Sequence, residues 1–198
     1  MGYQPPDIDL LLQSNPCDDP QIVEAIVEQY RSAIYRLAFS ILYDADEAED
    51  AVQDAFVAAT MNLDRYKPGT NFKAWLYTIT VNTCRGYLRR SRARSALAGI
   101  LQTMHLTLSG SSSVEESTLD HADCSQLWAA VDQLGEKQRM VVILRIRHEL
   151  TIPEIAQILQ VNEKTIYTRL YDAFRNLRGL LITQTDTAIA LANQELTR

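Results

Sequence analysis

The chain has 198 residues, 46% of them apolar, and a formal net charge of −6. That length holds one medium domain or two small ones. The acidic balance excludes a protein that coats nucleic acid indiscriminately, because such binding needs many uncompensated cations; local basic patches remain possible.

Residues 1–20 hold four of the six prolines and read as an irregular tail. Within them, Ile8 to Leu12 form a short apolar patch able to dock. From Gln21 the pattern turns helical. Ile22, Ile26, Tyr30, Ala33, Ile34, Leu37, Ala38, Ile41 and Leu42 make an apolar stripe that ends near Tyr43-Asp44. A second helix follows, with Ala48, Ala51, Val52, Ala55, Phe56 and Ala59 facing the core. Its outer face carries Asp46, Glu47, Glu49, Asp50 and Asp54 without a base between Asp44 and Asp54. Acids in a first turn suit the helix dipole, but this run continues past that turn. It fits either a solvated face or a docking face for a basic partner.

Pro68-Gly69 predicts a turn, so Arg65 to Phe72 is a loop. The next helix starts at Phe72. Trp75, Leu76, Ile79, Thr83 and Leu88 are expected inward, leaving Lys73, Tyr77, Asn82, Arg85, Arg89, Arg90, Arg92 and Arg94 outward. Five arginines and no acid lie between Arg85 and Arg94. Aromatic rings beside a cationic track suit single-stranded nucleic acid, with faces for stacking and charges for phosphate. Periodicity weakens around Ala96, and Ser109 to Ser113 has flexible linker composition. This gives a tail at 1–20, a helical domain at 21–95, a linker at 96–122, a second helical domain at 123–182 and a tail at 183–198, which reads either as a terminal helix or as a frayed end.

In the second domain, Ser125 is a candidate cap for a helix containing Leu127, Trp128, Val131 and Leu134, ended by Gly135. Lys137 to His148 reads as another helix, with an apolar strip of Met140, Val141, Ile143, Leu144 and Ile146. Thr151 and Glu154 then form a capping box, and Pro153 falls in the first turn. Ile155, Ala156, Ile158 and Leu159 supply one apolar face. Asn162 caps a further helix whose buried stripe is Ile166, Leu170, Phe174 and Leu177. Its opposite face offers Lys164, Thr165, Tyr167, Thr168, Tyr171 and Arg175. Two short helices joined in this way fit a helix-turn-helix, whose second helix enters the DNA major groove, or else an ordinary helical hairpin in a bundle.

No catalytic carboxylate pair, nucleophile elbow or phosphate-binding glycine loop is visible. His121 and Cys124 are too few for a tetrahedral zinc site, which wants four ligands. No metal or cofactor is expected. Cys17, Cys84 and Cys124 form no CxxC pair, which suits reduced thiols in a cytoplasmic protein. No apolar run has membrane-spanning length, and the first residues lack the build of a signal peptide.

The order of parts resembles a bacterial RNA polymerase sigma factor of the sigma-70 superfamily, in its extracytoplasmic-function (ECF) group. The stretches that carry the resemblance are DEAEDAVQDAF at 46–56, NFKAWLYTITVNTCRGYLRR at 71–90 and LGEKQRMVVILRIRHELTIPEIAQILQVNEKTIYTRL at 134–170. The resemblance implies an all-α fold: two small helical domains joined by a flexible linker, the C-terminal one with the helix-turn-helix. It implies a non-enzymatic subunit that binds core RNA polymerase and opens promoter DNA, without a small-molecule substrate. Asp46, Glu49, Asp50, Gln53, Asp54 and Phe56 would meet the polymerase core. Lys67, Asn71, Phe72, Trp75, Tyr77, Asn82, Arg85, Arg89 and Arg90 would hold the −10 element, with Asn71 and Phe72 at a flipped base. Arg147, Lys164, Thr165, Tyr167, Thr168, Arg169, Tyr171 and Arg175 would read the −35 element or its phosphates. Many relatives are held by an anti-sigma factor. The alternative is a stand-alone helix-turn-helix regulator that binds duplex DNA, usually as a dimer.

The sequence departs from the family pattern in three places. Gln160 stands in the helix-turn-helix turn where Gly is usual. Asp172-Ala173-Phe174 replaces the Arg-Ala-Arg common late in the recognition helix. Gly86 stands where Asp is common in the basic helix.

Overall fold

The computed structural model describes residues 8, 11–12, 19–104 and 122–195, with side chains described at 8, 11–12, 19–96 and 127–181. Among these residues all regular structure is helical. The contacts divide the chain into two units, one of residues 1–108 together with 157–160 and the other of residues 109–156 and 161–198. The linker residues 105–121 and most of the N-terminal tail lie outside the described residues. Within that tail, Ile8 and Leu12 of the apolar patch are buried.

Among the described residues the first unit is built from three long helices, and residues 8, 11 and 12 of the stretch expected to be irregular are helical as well. Helix α1 (Pro20–Leu42) opens with Asp19, whose carboxylate accepts the Gln21 N–H at 2.9 Å, and with Pro20 at the first helical position. It ends at Tyr43, where a left-handed φ of 57° turns the chain and the N–H donates to the Phe39 carbonyl at 2.9 Å. Helix α2 (Ala45–Thr60) is capped by Asp44, which accepts the Glu47 N–H at 2.8 Å. Ala48, Ala51, Ala55 and Ala59 are buried, so small side chains line its inner face. Ile22, Ile26, Ile34, Leu37 and Ile41 of α1 are buried as well; each such side chain contributes roughly 1.5–3 kcal/mol.

After a 3-10 turn (Leu63–Arg65), helix α3 (Phe72–Met104) packs on both α1 and α2. It runs through residues 96–104, which the sequence assigned to the linker. Nothing from Ser95 to Met104 except Gly99 breaks a helix. The inward register also differs from expectation. Leu76, Tyr77, Thr80, Val81 and Cys84 are buried, whereas Trp75, Ile79, Thr83 and Leu88 are only half-buried. Thr80 enters the core because its hydroxyl donates to the Leu76 carbonyl at 2.9 Å.

The second unit holds α4 (Ala122–Asp132), α5 (Glu136–Val142), a π turn (Ile143–Arg147), α6 (Ile152–Leu159) and α7 (Glu163–Glu195). Helix α4 starts before Ser125 and ends before Gly135, which instead precedes α5 as its N-cap. Ala130, Val131, Leu134, Val142, Ala173 and Leu177 form one core cluster. The π turn widens the helical period. It leaves Ile146 48% exposed, against the expectation of one continuous apolar strip. Similarly, Ala173 is buried and Phe174 is 49% exposed, so Ala173 takes the place in the stripe expected of Phe174. Of the two readings of the stretch after Ile182, a terminal helix or a frayed tail, the structure has the helix: α7 continues to Glu195.

Candidate polymerase- and nucleic-acid-binding surfaces

Helix α2 presents Asp46, Asp50, Gln53 and Asp54 to solvent, with Glu49 half-buried beside them. Part of this acid face is engaged within the fold. Arg31 pairs with Glu49, and Arg94 pairs with Glu47 at 2.8 Å. The Tyr87 hydroxyl donates to Asp54 Oδ2 at 2.9 Å. Phe56 is half-buried, lining a narrow crevice with Val23, Ile26 and Val27.

The loop before α3 is ordered by aromatic packing. Phe72 is 4% exposed. Its ring lies 5.1 Å from Tyr66, 5.4 Å from Trp75 and 5.5 Å from Tyr30, measured between centroids. Stacking of Phe72 on a flipped base would require the ring to leave this cluster. Tyr66 is buried too, and its hydroxyl donates to the Thr70 carbonyl at 2.8 Å. Asn71 is exposed and caps α3: its Oδ1 accepts the Ala74 N–H at 3.0 Å. Lys67 is exposed beside the turn at Gly69, whose φ of 85° suits glycine.

Along α3 the outward face is narrower than expected. Tyr77 is 3% exposed, because it stands four residues before Val81 and seven before Cys84, both in the core. Lys73 Nζ lies 5.4 Å from the centre of its ring. The face that remains outward carries half-buried Trp75 and Arg85 with exposed Asn82 and Arg89. Arg90 stacks over the Tyr87 ring at 4.3 Å, so Arg90 and Arg94 stand close to the acids of α2 rather than on an open track. Burial, the bond to Asp54 and the charges of Asp54 and Asp50 push the Tyr87 phenol up to about 12, against a smaller opposing effect of Arg90. Burial pushes the Cys84 thiol up to about 12, which makes it an inert core group.

In the second unit, Glu154 accepts from both the backbone N–H and the hydroxyl of Thr151, at 2.8 and 2.7 Å. Gln160 adopts φ 54°, the left-handed conformation that the missing glycine would have taken. Asn162 Oδ1 caps α7, accepting the Thr165 N–H at 2.8 Å and its hydroxyl at 2.6 Å. Thr165 is thus half-buried and tied to the cap, not presented outward. Lys164, Tyr167, Thr168, Tyr171 and Arg175 are exposed, and Arg169 is half-buried. Arg175 lies 3.8 Å from Asp172, which offsets part of its charge. Arg147 is exposed at the end of the π turn, its guanidinium 4.7 Å from the centre of the Trp128 ring.

Among the described residues no His, Cys, Asp or Glu cluster could hold a metal ion. No described helix is long and apolar enough to cross a membrane.

Comparison with known proteins agrees with this arrangement. The Sigma-70 region 2 family matches residues 26–94, and the Sigma-70, region 4 family matches residues 124–177. The ECF RNA polymerase sigma factor SigW of Bacillus subtilis is 32% identical over 163 residues, which cover 79% of this chain and 87% of that protein. The chain belongs to the ECF sigma factors.

The RNA polymerase sigma factor SigV of the same organism is 29% identical over 152 residues, 77% of this chain and 86% of that protein. Among solved structures, the sigma factor RpoE in complex with the anti-sigma factor NepR from Bartonella quintana aligns at 26% identity and a TM-score of 0.62. That alignment covers 80% of this chain and 95% of RpoE. An ECF sigma factor directs promoter-specific initiation as a subunit of RNA polymerase, and sigma factors are initiation factors, not enzymes. The stand-alone regulator is set aside: it accounts for the helix-turn-helix and leaves the region 2 match over residues 26–94 unexplained.

Proposed function

We propose how this sigma factor divides its work among its helices. The acid face of α2, centred on Asp46, Asp50, Gln53 and Asp54, docks on a basic surface of the polymerase core. Asn71 and the outward face of α3, with Trp75, Asn82, Arg85 and Arg89, hold the melted −10 strand. Exposed side chains of α7, Lys164, Tyr167, Thr168 and Tyr171, read the −35 element, and Arg147 meets a phosphate. The supporting observation is that Asp46, Asp50, Gln53, Asp54, Asn71, Asn82 and Arg89 of the first unit and Arg147, Lys164, Tyr167, Thr168 and Tyr171 of the second stay exposed, with Trp75 and Arg85 half-buried, once each unit's core is filled. The protein works in the cytoplasm, without catalysis of its own. An anti-sigma factor that covers these faces would silence it, as the RpoE–NepR complex suggests by analogy.

Run-off transcription tests the reading. Purified bacterial core polymerase and a pool of promoter fragments are combined with and without the full chain. Transcripts that require the chain are expected. Asp50→Arg with Asp54→Arg should remove both the transcripts and core pull-down while leaving the helical content intact. Full core capture by that double variant would defeat the assignment of the α2 face.

A further inference from the structure

Trp128 belongs to none of the surfaces assigned above. It is half-buried against the core cluster of Ala130, Val131, Val142 and Leu177. Its outer ring face carries the Arg147 guanidinium at 4.7 Å. Other arginines of this unit are held differently. Arg139 lies 3.8 Å from Asp132 and Arg175 3.8 Å from Asp172. Arg145 donates to the Leu150 carbonyl at 2.8 Å. A carboxylate orders a guanidinium but offsets its charge. A ring face orders it through the quadrupole and leaves the net charge whole. Arg147 is also placed by backbone geometry, since it closes the π turn four residues before Thr151 opens the helix-turn-helix. Such turns recur at functional sites.

We propose that Trp128 is a positioning residue for −35 binding: its ring holds Arg147 ready for a DNA phosphate with the full positive charge available. Binding then costs less rotamer freedom than an unsupported arginine would lose. The proposal rests on the phosphate role given to Arg147 above.

The test measures retention of the promoter duplex recovered by run-off, bound by polymerase reconstituted with the full chain, across a salt series. Arg147→Gln should weaken binding and reduce the steepness of the log–log salt dependence by about 1. Trp128→Leu should weaken binding roughly three- to tenfold, and Trp128→Phe less, because a smaller ring holds a cation less well. In the Arg147→Gln background neither Trp128 substitution should weaken binding further. Equal losses with and without the Arg147 cation would mean a purely structural tryptophan and would overturn the proposal. So would full binding by both Trp128 variants alongside weakened Arg147→Gln. If Arg147→Gln itself binds normally with an unchanged slope, the phosphate assignment falls and takes the positioning role with it. Circular-dichroism melting accompanies each variant. Should Trp128→Leu not fold, the Trp128→Phe cycle decides alone.

Discussion

The Tyr87 hydroxyl donates to Asp54 Oδ2 at 2.9 Å and so ties α3 to the acid face of α2. Arg90 covers the same ring at 4.3 Å. One tyrosine thus touches an acid proposed for the polymerase interface and a base from the arginine run. The phenol is pushed up to about 12, mainly by burial and then by Asp54. An unfolded tyrosine titrates near 10. Between these values the unfolded chain loses this proton and the folded chain keeps it. The stabilisation is therefore complete below about pH 10 and is lost as pH rises towards about 12. Tyr87→Phe should cost about 1 kcal/mol at neutral pH and flatten the alkaline decline. Urea denaturation from pH 7 to 11, wild type against variant, checks both; parallel curves would dissociate the bond from stability.

Asn71 carries two roles that substitution can separate. Its Oδ1 caps α3 through the Ala74 N–H, and its exposed position suits a base at the −10 element. Asn71→Ala should lose about 1 kcal/mol through the cap and also alter −10 preference. Asn71→Asp keeps a capping oxygen and removes the amide donor. It should therefore melt like the wild type while changing promoter choice. Competition between −10 variants in run-off transcription checks this; unchanged preference in both variants would reduce Asn71 to a helix cap.

These assignments show what a linear sequence reveals. Asn162 and Thr151 are legible as caps because capping is a local interaction spanning three residues, whereas the cap at Asp44 is added by the structure. The acid run and the arginine run were legible as composition. Which charges are already used internally was not, since Arg31, Tyr87 and Arg94 reach acids 18, 33 and 47 residues away. The register of α3 differs from the expected one because Tyr77, Thr80 and Cys84 look less apolar than Ile79 and Trp75. Inside, however, Thr80 bonds to its own helix and Cys84 packs as a small hydrophobe. Ile146 was misplaced because the π turn changes the period on which the apolar strip was counted. Phe174 was misplaced because a small residue beside it, Ala173, fills the buried position.

Gly86 sits in the interior of α3, and a Cβ built there meets nothing within 4 Å. Glycine costs roughly 0.8–1 kcal/mol relative to alanine in a helix interior. Gly86→Ala should therefore raise stability by about that amount, visible as a higher urea midpoint with an unchanged slope. No gain would mean that the helix-propensity cost of glycine is not felt at this position.

Gln160 presents the opposite case. Its φ of 54° places an L side chain in the left-handed region at the turn between α6 and α7. The turn itself is set by backbone bonds: the Val161 N–H donates to the Ala156 carbonyl at 3.0 Å, and the Gln160 N–H to the Gln157 carbonyl at 3.2 Å. Those bonds need no side chain at position 160, which is exposed. Gln160→Gly removes a Cβ penalty of roughly 1–2 kcal/mol and adds unfolded-state entropy worth roughly 0.5–1 kcal/mol. The net expectation is a gain of about 0.5–1 kcal/mol. Gln160→Val should lose stability, because a β-branched residue tolerates positive φ least. Denaturation of both variants separates strain from any side-chain role. A glycine variant less stable than wild type would show that the glutamine side chain makes up for the strain of its own backbone.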